Sequence, residues 1–167
     1  INNSPQVRVK TEDPENLELA KAFGTKFIIN SPFRDKSLRK EAFRQGKRII
    51  VYEGGESLRL RKNAIDEGIA GMLRVMHHLK MRDEAPMIEK EPTLIMKSSW
   101  VRAKSAGLHY GFQRNGSAVE QKEVLGRVCD PYGTYEVQIK SPLTGHIIAI
   151  NNNPVVNRGD ALFHVGS

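Results

Sequence analysis

The sequence predicts a chain in two parts, an α/β segment followed by a small all-β domain. Three observations predict it. Apolar residues recur at helical spacing in the first half and at alternate positions in the second. The first half orders its elements as helix, strand, helix, strand, helix. The second half carries an internal repeat at an offset of 37 residues. The parts are residues 1–83, a charged, proline-bounded linker at 84–92 and a β-rich domain at 93–167.

In the first part, Leu17, Leu19, Ala20 and Phe23 predict a short helix that begins after Asp13-Pro14 and stops at Gly24. Residues 26–30 (KFIIN) read as a buried strand. Ser37 caps a second predicted helix, SLRKEAFRQ, which Gly46 ends. Residues 47–53 (KRIIVYE) read as a second strand, followed by Gly54-Gly55. Ile65, Ile69, Met72, Leu73, Met76 and Leu79 then mark the apolar face of a third helix. Strands that alternate with helices pair in parallel through crossovers. Two parallel strands do not form a free-standing sheet, because parallel sheets are larger and covered on both faces. Residues 1–83 are therefore expected to be the closing portion of a larger α/β domain whose N-terminal part lies outside this chain.

In the second part, strands are predicted at 93–98, 101–105, 124–129, 135–141, 146–150 and 161–165. Turn signals such as Asn115-Gly116, Pro131-Tyr132-Gly133 and Arg158-Gly159-Asp160 separate them. In the repeat, Asn115, Val119, Glu123, Leu125 and Val128 match Asn152, Val156, Asp160, Leu162 and Val165. This domain resembles the biotinyl/lipoyl type of β-sandwich, which is built from two quasi-equivalent halves. Carrier domains of that type present a modified lysine on the hairpin between the halves. Here the hairpin reads Asp130-Pro131-Tyr132-Gly133 and has no lysine, which implies an architectural relative rather than a carrier.

Composition narrows the partners. Apolar residues make up 39% and charged residues 27%, as in soluble globular proteins. No apolar run approaches the ~20 residues that span a bilayer, so no membrane partner is expected. No secretory signal opens the chain, and the single cysteine, Cys129, excludes an intramolecular disulfide; a cytoplasmic location is the expectation. The net charge is +7, and residues 1–83 carry 17 Lys/Arg against 11 Asp/Glu. A basic excess suits an anionic partner. With no run of five Lys/Arg and only 7% aromatics, a small acidic substrate is expected rather than nucleic acid.

Glu53 is the carboxylate that stands out. It is placed at the C-terminal end of a predicted parallel strand, where α/β folds put their sites. Desolvation there can tune a carboxylate for general-base work. A solvated Glu53 paired with a neighbouring arginine is the plainer alternative. Gly54 and Gly55 allow close approach of a ligand or a sharp turn. Among the cations preceding this strand, Arg39 is the candidate carboxylate clamp, since a guanidinium fork matches a carboxylate.

Four stretches together resemble the succinylglutamate desuccinylase/aspartoacylase family. They are PQVR near the start, SLRKEAFRQGKRIIVYEGGES, the helix IDEGIAGMLRVMHHLKM and the ending SPLTGHIIAINNNPVVNRGDALFHVG. The resemblance implies a zinc-carboxypeptidase-like catalytic domain with a β domain packed against it. It implies a zinc-dependent amidohydrolase in which Glu53, in YEGGE, activates the zinc-bound water. Arg39, in SLRKEA, would bind a substrate carboxylate. The family holds zinc with a His-x-x-Glu pair and a later histidine. None of His77, His78, His109, His146 and His164 has a glutamate three residues on. Zinc is therefore expected in the full-length enzyme and not in this chain, which alone should be inactive. His77 and His78 are adjacent on a predicted helix, about 100° apart, and are expected to be surface residues. Cys129 and Trp100 are expected in the β core. The expected substrate is an N-acyl amino acid or similar carboxylate-bearing amide; a homo-oligomer is left open. The alternative is a non-catalytic binding module.

Overall fold

A computed structural model describes residues 1–167. It divides the chain into two compact units, Pro5–Met96 and, together, Ile1–Ser4 with Lys97–Ser167.

The α/β unit is organised around parallel strands. β1 (Asn2–Val9) sets Gln6 opposite Phe27 and Val9 opposite Asn30 of β2 (Phe27–Asn30). The crossover between them is α1 (Pro14–Phe23). The Asp13 carboxylate accepts from the Asn16 N–H at its start, and Pro14 occupies the first turn, where no amide donor is needed. Gly24 ends it in the left-handed region with φ 74°. α2 (Leu38–Arg44), capped by Ser37, leads to β3 (Val51–Glu56), which pairs with β1. α3 (Lys62–His78) then leads to β4 (Thr93–Ile95), parallel to β2. The order across is β4-β2-β1-β3.

Alternation along β1 sorts its two faces. Val7 and Val9 are fully buried in a core with Ala20, Phe23 and Ile28. Gln6 and Arg8, at the intervening positions, face the other way.

α3 packs on a different face from the one its periodicity predicts. Ile65, Ile69, Met72 and Met76 are 45%, 48%, 57% and 37% exposed. The buried side consists of Ala64, Gly71 and Arg74. A Cβ on Gly71 would lie 2.1 Å from the Phe23 ring, so the missing side chain is what lets α1 and α3 approach. Arg74 donates to the carbonyls of Phe23, Pro86 and Met87, which offsets the desolvation of its guanidinium. Small residues, not the large apolar stripe, decide the contact.

Other differences from the sequence expectations have local causes. Two strands are predicted in this unit and four are present. β1 is hidden because NNSPQVRV contains a proline and buries a polar side chain, Gln6. Residues 47–50 lie outside β3: the Ile49 N–H donates to Asn16 Oδ1 at 2.6 Å instead of to a strand. β3 continues through Gly54 and Gly55 to Glu56. Thr93–Ile95, placed by the sequence in the β domain, pairs with β2 and lies within Pro5–Met96. The charged linker marks a loop, and only the pairing partner decides which unit the next strand joins.

The second unit contains β5 (Ser98–Arg102), β6 (Gly107–Gly111), β7 (Ala118–Val119), β8 (Val124–Cys129), β9 (Glu136–Lys140), β10 (Gly145–Ile150), β11 (Val155–Val156) and β12 (Ala161–Gly166). They form two antiparallel ladders, β7-β10-β12-β5 and β11-β6-β8-β9. Asn2 and Asn3 pair antiparallel with Ile150 and Ala149 of β10. The sequence repeat is realised strand by strand: β5 to β8 correspond to β9 to β12, and each ladder is the other's counterpart. Leu125 and Leu162 are counterparts, both fully buried at register shifts in their strands. Glu123 accepts from the Glu120 N–H, and Asp160 accepts from the Asn157 N–H. Lys122 and Gly159 take positive φ (70° and 95°) at the same place in each copy. A Cβ on Gly107 would meet the Cys129 carbonyl at 2.4 Å, and one on Gly145 the Gly166 carbonyl at 2.1 Å. β6, β7 and β11 are absent from the prediction because two of them have two residues and the third is bounded by glycine.

Trp100 lies half-buried, stacked on His164 with ring centroids 4.4 Å apart, and Cys129 is half-buried at the end of β8. No helix is long and apolar enough to cross a membrane.

Candidate functional site

Glu53 lies within β3 rather than at a strand end. Its Oε2 accepts from Arg8 Nε at 2.9 Å and from Gln6 Nε2 at 3.1 Å. Gln6 and Arg8 are two residues apart on β1 and so share a face, and the pairing of β3 with β1 brings Glu53 across to them. Gln6 is fully buried, whereas the Arg8 and Glu53 side chains are 22% and 38% exposed. Both contacts fall on Oε2, and Oε1 takes no hydrogen bond from the protein.

The glycines after Glu53 seat α3. Gly55 has φ 83°, and a Cβ there would lie 3.2 Å from that of Ala64. Tyr52, which packs on the core side of the sheet, donates from its hydroxyl to the Ala64 carbonyl at 2.6 Å. Burial, and then the Glu67 charge, push the Tyr52 phenol up to about 12.

Arg39 stands in the first turn of α2. Its Nη1 donates to Ser31 Oγ at 3.0 Å and its Nη2 to the Ser31 carbonyl at 2.6 Å, while Nε is buried without a partner. Its guanidinium lies over the Phe33 ring, 5.2 Å from the centroid. Burial first, then the like charge of Arg8, pull the Arg39 pKa down, and Glu53 opposes them. The fold thus brings Glu53 and Arg39, 14 residues apart, into one electrostatic neighbourhood with Arg8. Lys10, just past β1, adds a third cation, 5.4 Å from the Phe43 ring centroid.

Arg8 and Gln6 are the residues that the sequence analysis did not single out. Their two-residue spacing around Val7 was a signal for a shared polar face, but only the neighbour supplied by β3 gives that face a partner.

The chain's own residues do not fit the zinc that the resemblance implies. No three His, Cys, Asp or Glu side chains converge closely enough to hold a metal ion. His77 and His78 are exposed on the last turn of α3, where His77 Nδ1 lies 3.2 Å from the Arg82 carbonyl oxygen.

No family model and no curated protein matches the sequence. Solved structures do. A succinylglutamate desuccinylase/aspartoacylase from Rhodobacter sphaeroides superposes with a TM-score of 0.87 at 20% identity, over 99% of this chain and 54% of that one. The ectoine utilization protein from Ruegeria pomeroyi, in its apo structure, gives 0.88 at 17% identity, over 99% and 55%. An aspartoacylase family protein from Mesorhizobium loti gives 0.78 at 17% identity, over 99% and 58%. The chain therefore has the fold of a portion of succinylglutamate desuccinylase/aspartoacylase family proteins, and it spans about half their length.

Proposed function

We propose that this chain is the C-terminal portion of a zinc-dependent hydrolase that cleaves the amide bond of an N-acyl amino acid or a similar carboxylate-bearing substrate. The observation that carries the proposal is the anchoring of Glu53. One carboxylate oxygen is held by Arg8 and Gln6, and the other is open, on a half-buried face rich in positive charge. A base held on one side and open on the other is oriented for proton transfer. Glu53 takes the proton of the attacking water at Oε1 and delivers it to the leaving nitrogen. Arg8 and Arg39 supply the positive field opposite a substrate carboxylate. In this reading the zinc is held by residues outside this chain. The apolar stripe of α3 fits membership of a larger α/β domain, in which such faces are covered. The duplicated second unit supports a β-sandwich of the biotinyl/lipoyl type without a carrier lysine. A cytoplasmic enzyme is the natural setting for a chain with one cysteine.

The alternative is a binding module without catalysis, favoured by the fact that Glu53 is already neutralised by Arg8. Amine release from N-succinyl and N-acetyl amino acids by the whole encoded polypeptide distinguishes the two. Release that Glu53→Gln abolishes supports the hydrolase. No release, or release indifferent to that change, supports the module. An upstream coding sequence with His-x-x-Glu is expected for the hydrolase alone.

A further inference from the structure

We infer that Arg8 grips the substrate's carboxylate through the Nη1/Nη2 edge of its guanidinium while its Nε keeps Glu53 in place. This rests on the hydrolase reading and deepens it. Arg39 becomes the anchored charge behind that grip.

The assignment follows from which donors are spent. Arginine–carboxylate pairs are often two-point forks. Arg8 meets Glu53 at a single point, Nε to Oε2, so its terminal nitrogens make no hydrogen bond to the protein. Its side chain is only 22% exposed, and donors in such partly desolvated surroundings gain most from an arriving anion. Arg39 is the reverse case. Each of its Nη groups donates one hydrogen bond to Ser31, and its Nε is buried. To offer a ligand the pair of Nη donors that Ser31 takes, Arg39 would have to leave Ser31.

Charge points the same way. Arg8 and Arg39 stand against one carboxylate, Glu53. The Arg8 charge disfavours that of Arg39, and an anion bound beside them relieves that repulsion. With Glu53 on one edge of the Arg8 plane and the ligand carboxylate on the next, a single rigid group fixes the distance between base and substrate. Arg8 is thus a specificity residue for the carboxylate and a positioning residue for Glu53. A lysine keeps the charge but not the two edges.

Calorimetric titration of the full chain with succinate, and with succinamide as the uncharged control, tests the grip without requiring turnover. Succinate binding is expected to weaken about tenfold or more in Arg8→Lys and Arg8→Gln, and less than about threefold in Arg39→Gln. Succinamide should not bind. Thermal unfolding of Arg8→Lys checks that the variant is folded, and Arg8→Gln provides a second reading of the same edge. Failure of succinate to bind the wild-type chain overturns the proposal, as does equal weakening by the Arg8 and Arg39 variants, or weakening by Arg39→Gln alone. In the whole encoded polypeptide, Arg8→Lys should raise KM for an N-acyl amino acid but not for its carboxamide. If that polypeptide releases no amine while succinate binding still depends on Arg8, the carboxylate grip stands and the hydrolase falls.

Discussion

The β unit closes two equivalent turns with the same carboxylate device, whereas the α/β unit carries one long-range pair, Arg8–Glu53, that meets at a single point on a half-buried face. In the β unit, Glu123 and Asp160 close equivalent turns, Arg127 pairs with Glu136, and Asp130 accepts from Thr134 and Tyr135 in its own hairpin. The Thr134 hydrogen bond holds the Asp130 carboxyl below the usual range. In the α/β unit, Arg8 keeps both terminal nitrogens unspent, Arg39 buries its Nε without a partner, and Glu53 shows an open oxygen. A chain segment that appears twice is under the same packing demands twice, and both copies meet them with the same devices. Buried polar atoms without a partner occur in both units, Arg39 Nε in one and Arg127 Nε in the other, so what sets the α/β face apart is its half-buried charge, which a ligand can use.

Catalysis should break this comparison most sharply. In the whole encoded polypeptide, Glu53→Gln should lower the hydrolysis rate by about 10²–10⁴-fold, the usual range for a general base. Stability should change by no more than about 1 kcal/mol, since the Arg8 pair that it weakens is partly exposed. Initial-rate assays beside thermal unfolding check both parts. A retained rate would make Glu53 a structural partner of Arg8.

Core truncation tests the equivalence of the two β copies. Leu125→Ala and Leu162→Ala each remove a fully buried side chain at a bulge and should each cost about 2–5 kcal/mol. The two values should be alike in chemical denaturation, and a large asymmetry would show that one copy carries the core. In the α/β unit, Gly71→Ala gains helix propensity but drives a methyl into the Phe23 ring, so a net loss of about 1–3 kcal/mol is expected.

Titration should separate the units most gently. Burial pushes the His109 imidazole below its usual range, so its contribution is present at neutral pH and is lost as pH falls from the unfolded value through the folded one. The Tyr52 phenol is raised to about 12, so its contribution is complete below the ordinary tyrosine range and is lost as pH rises towards 12. Hydrogen exchange of β6 in mild acid and of β3 in alkali should report the two effects. His109→Phe and Tyr52→Phe should remove the respective dependence.

Much of this was legible in the sequence because it is local. Asp13 and Ser37 announce helix starts, Gly24 announces a stop, and the 37-residue offset announces a duplication that the paired ladders then realise. A cap bonds to its own neighbours, and a repeat is visible by self-comparison, so neither needs a distant partner. Glu53 was legible as a carboxylate beside glycines, although its place within β3 and its hold by Gln6 and Arg8 were not.

The sequence alone determined the helix caps, the internal duplication and the lack of a histidine–glutamate metal pair. The tertiary structure decided what depends on which strands meet. It put Thr93–Ile95 beside β2, turned α3 inward on its glycines instead of its methionines, and set Arg8 against Glu53 across 45 residues of chain. Periodicity records which side of an element is apolar, but not which neighbour arrives or how closely. That closeness, 2.9 Å from Arg8 Nε to Glu53 Oε2, leaves one carboxylate oxygen and one guanidinium edge free for chemistry.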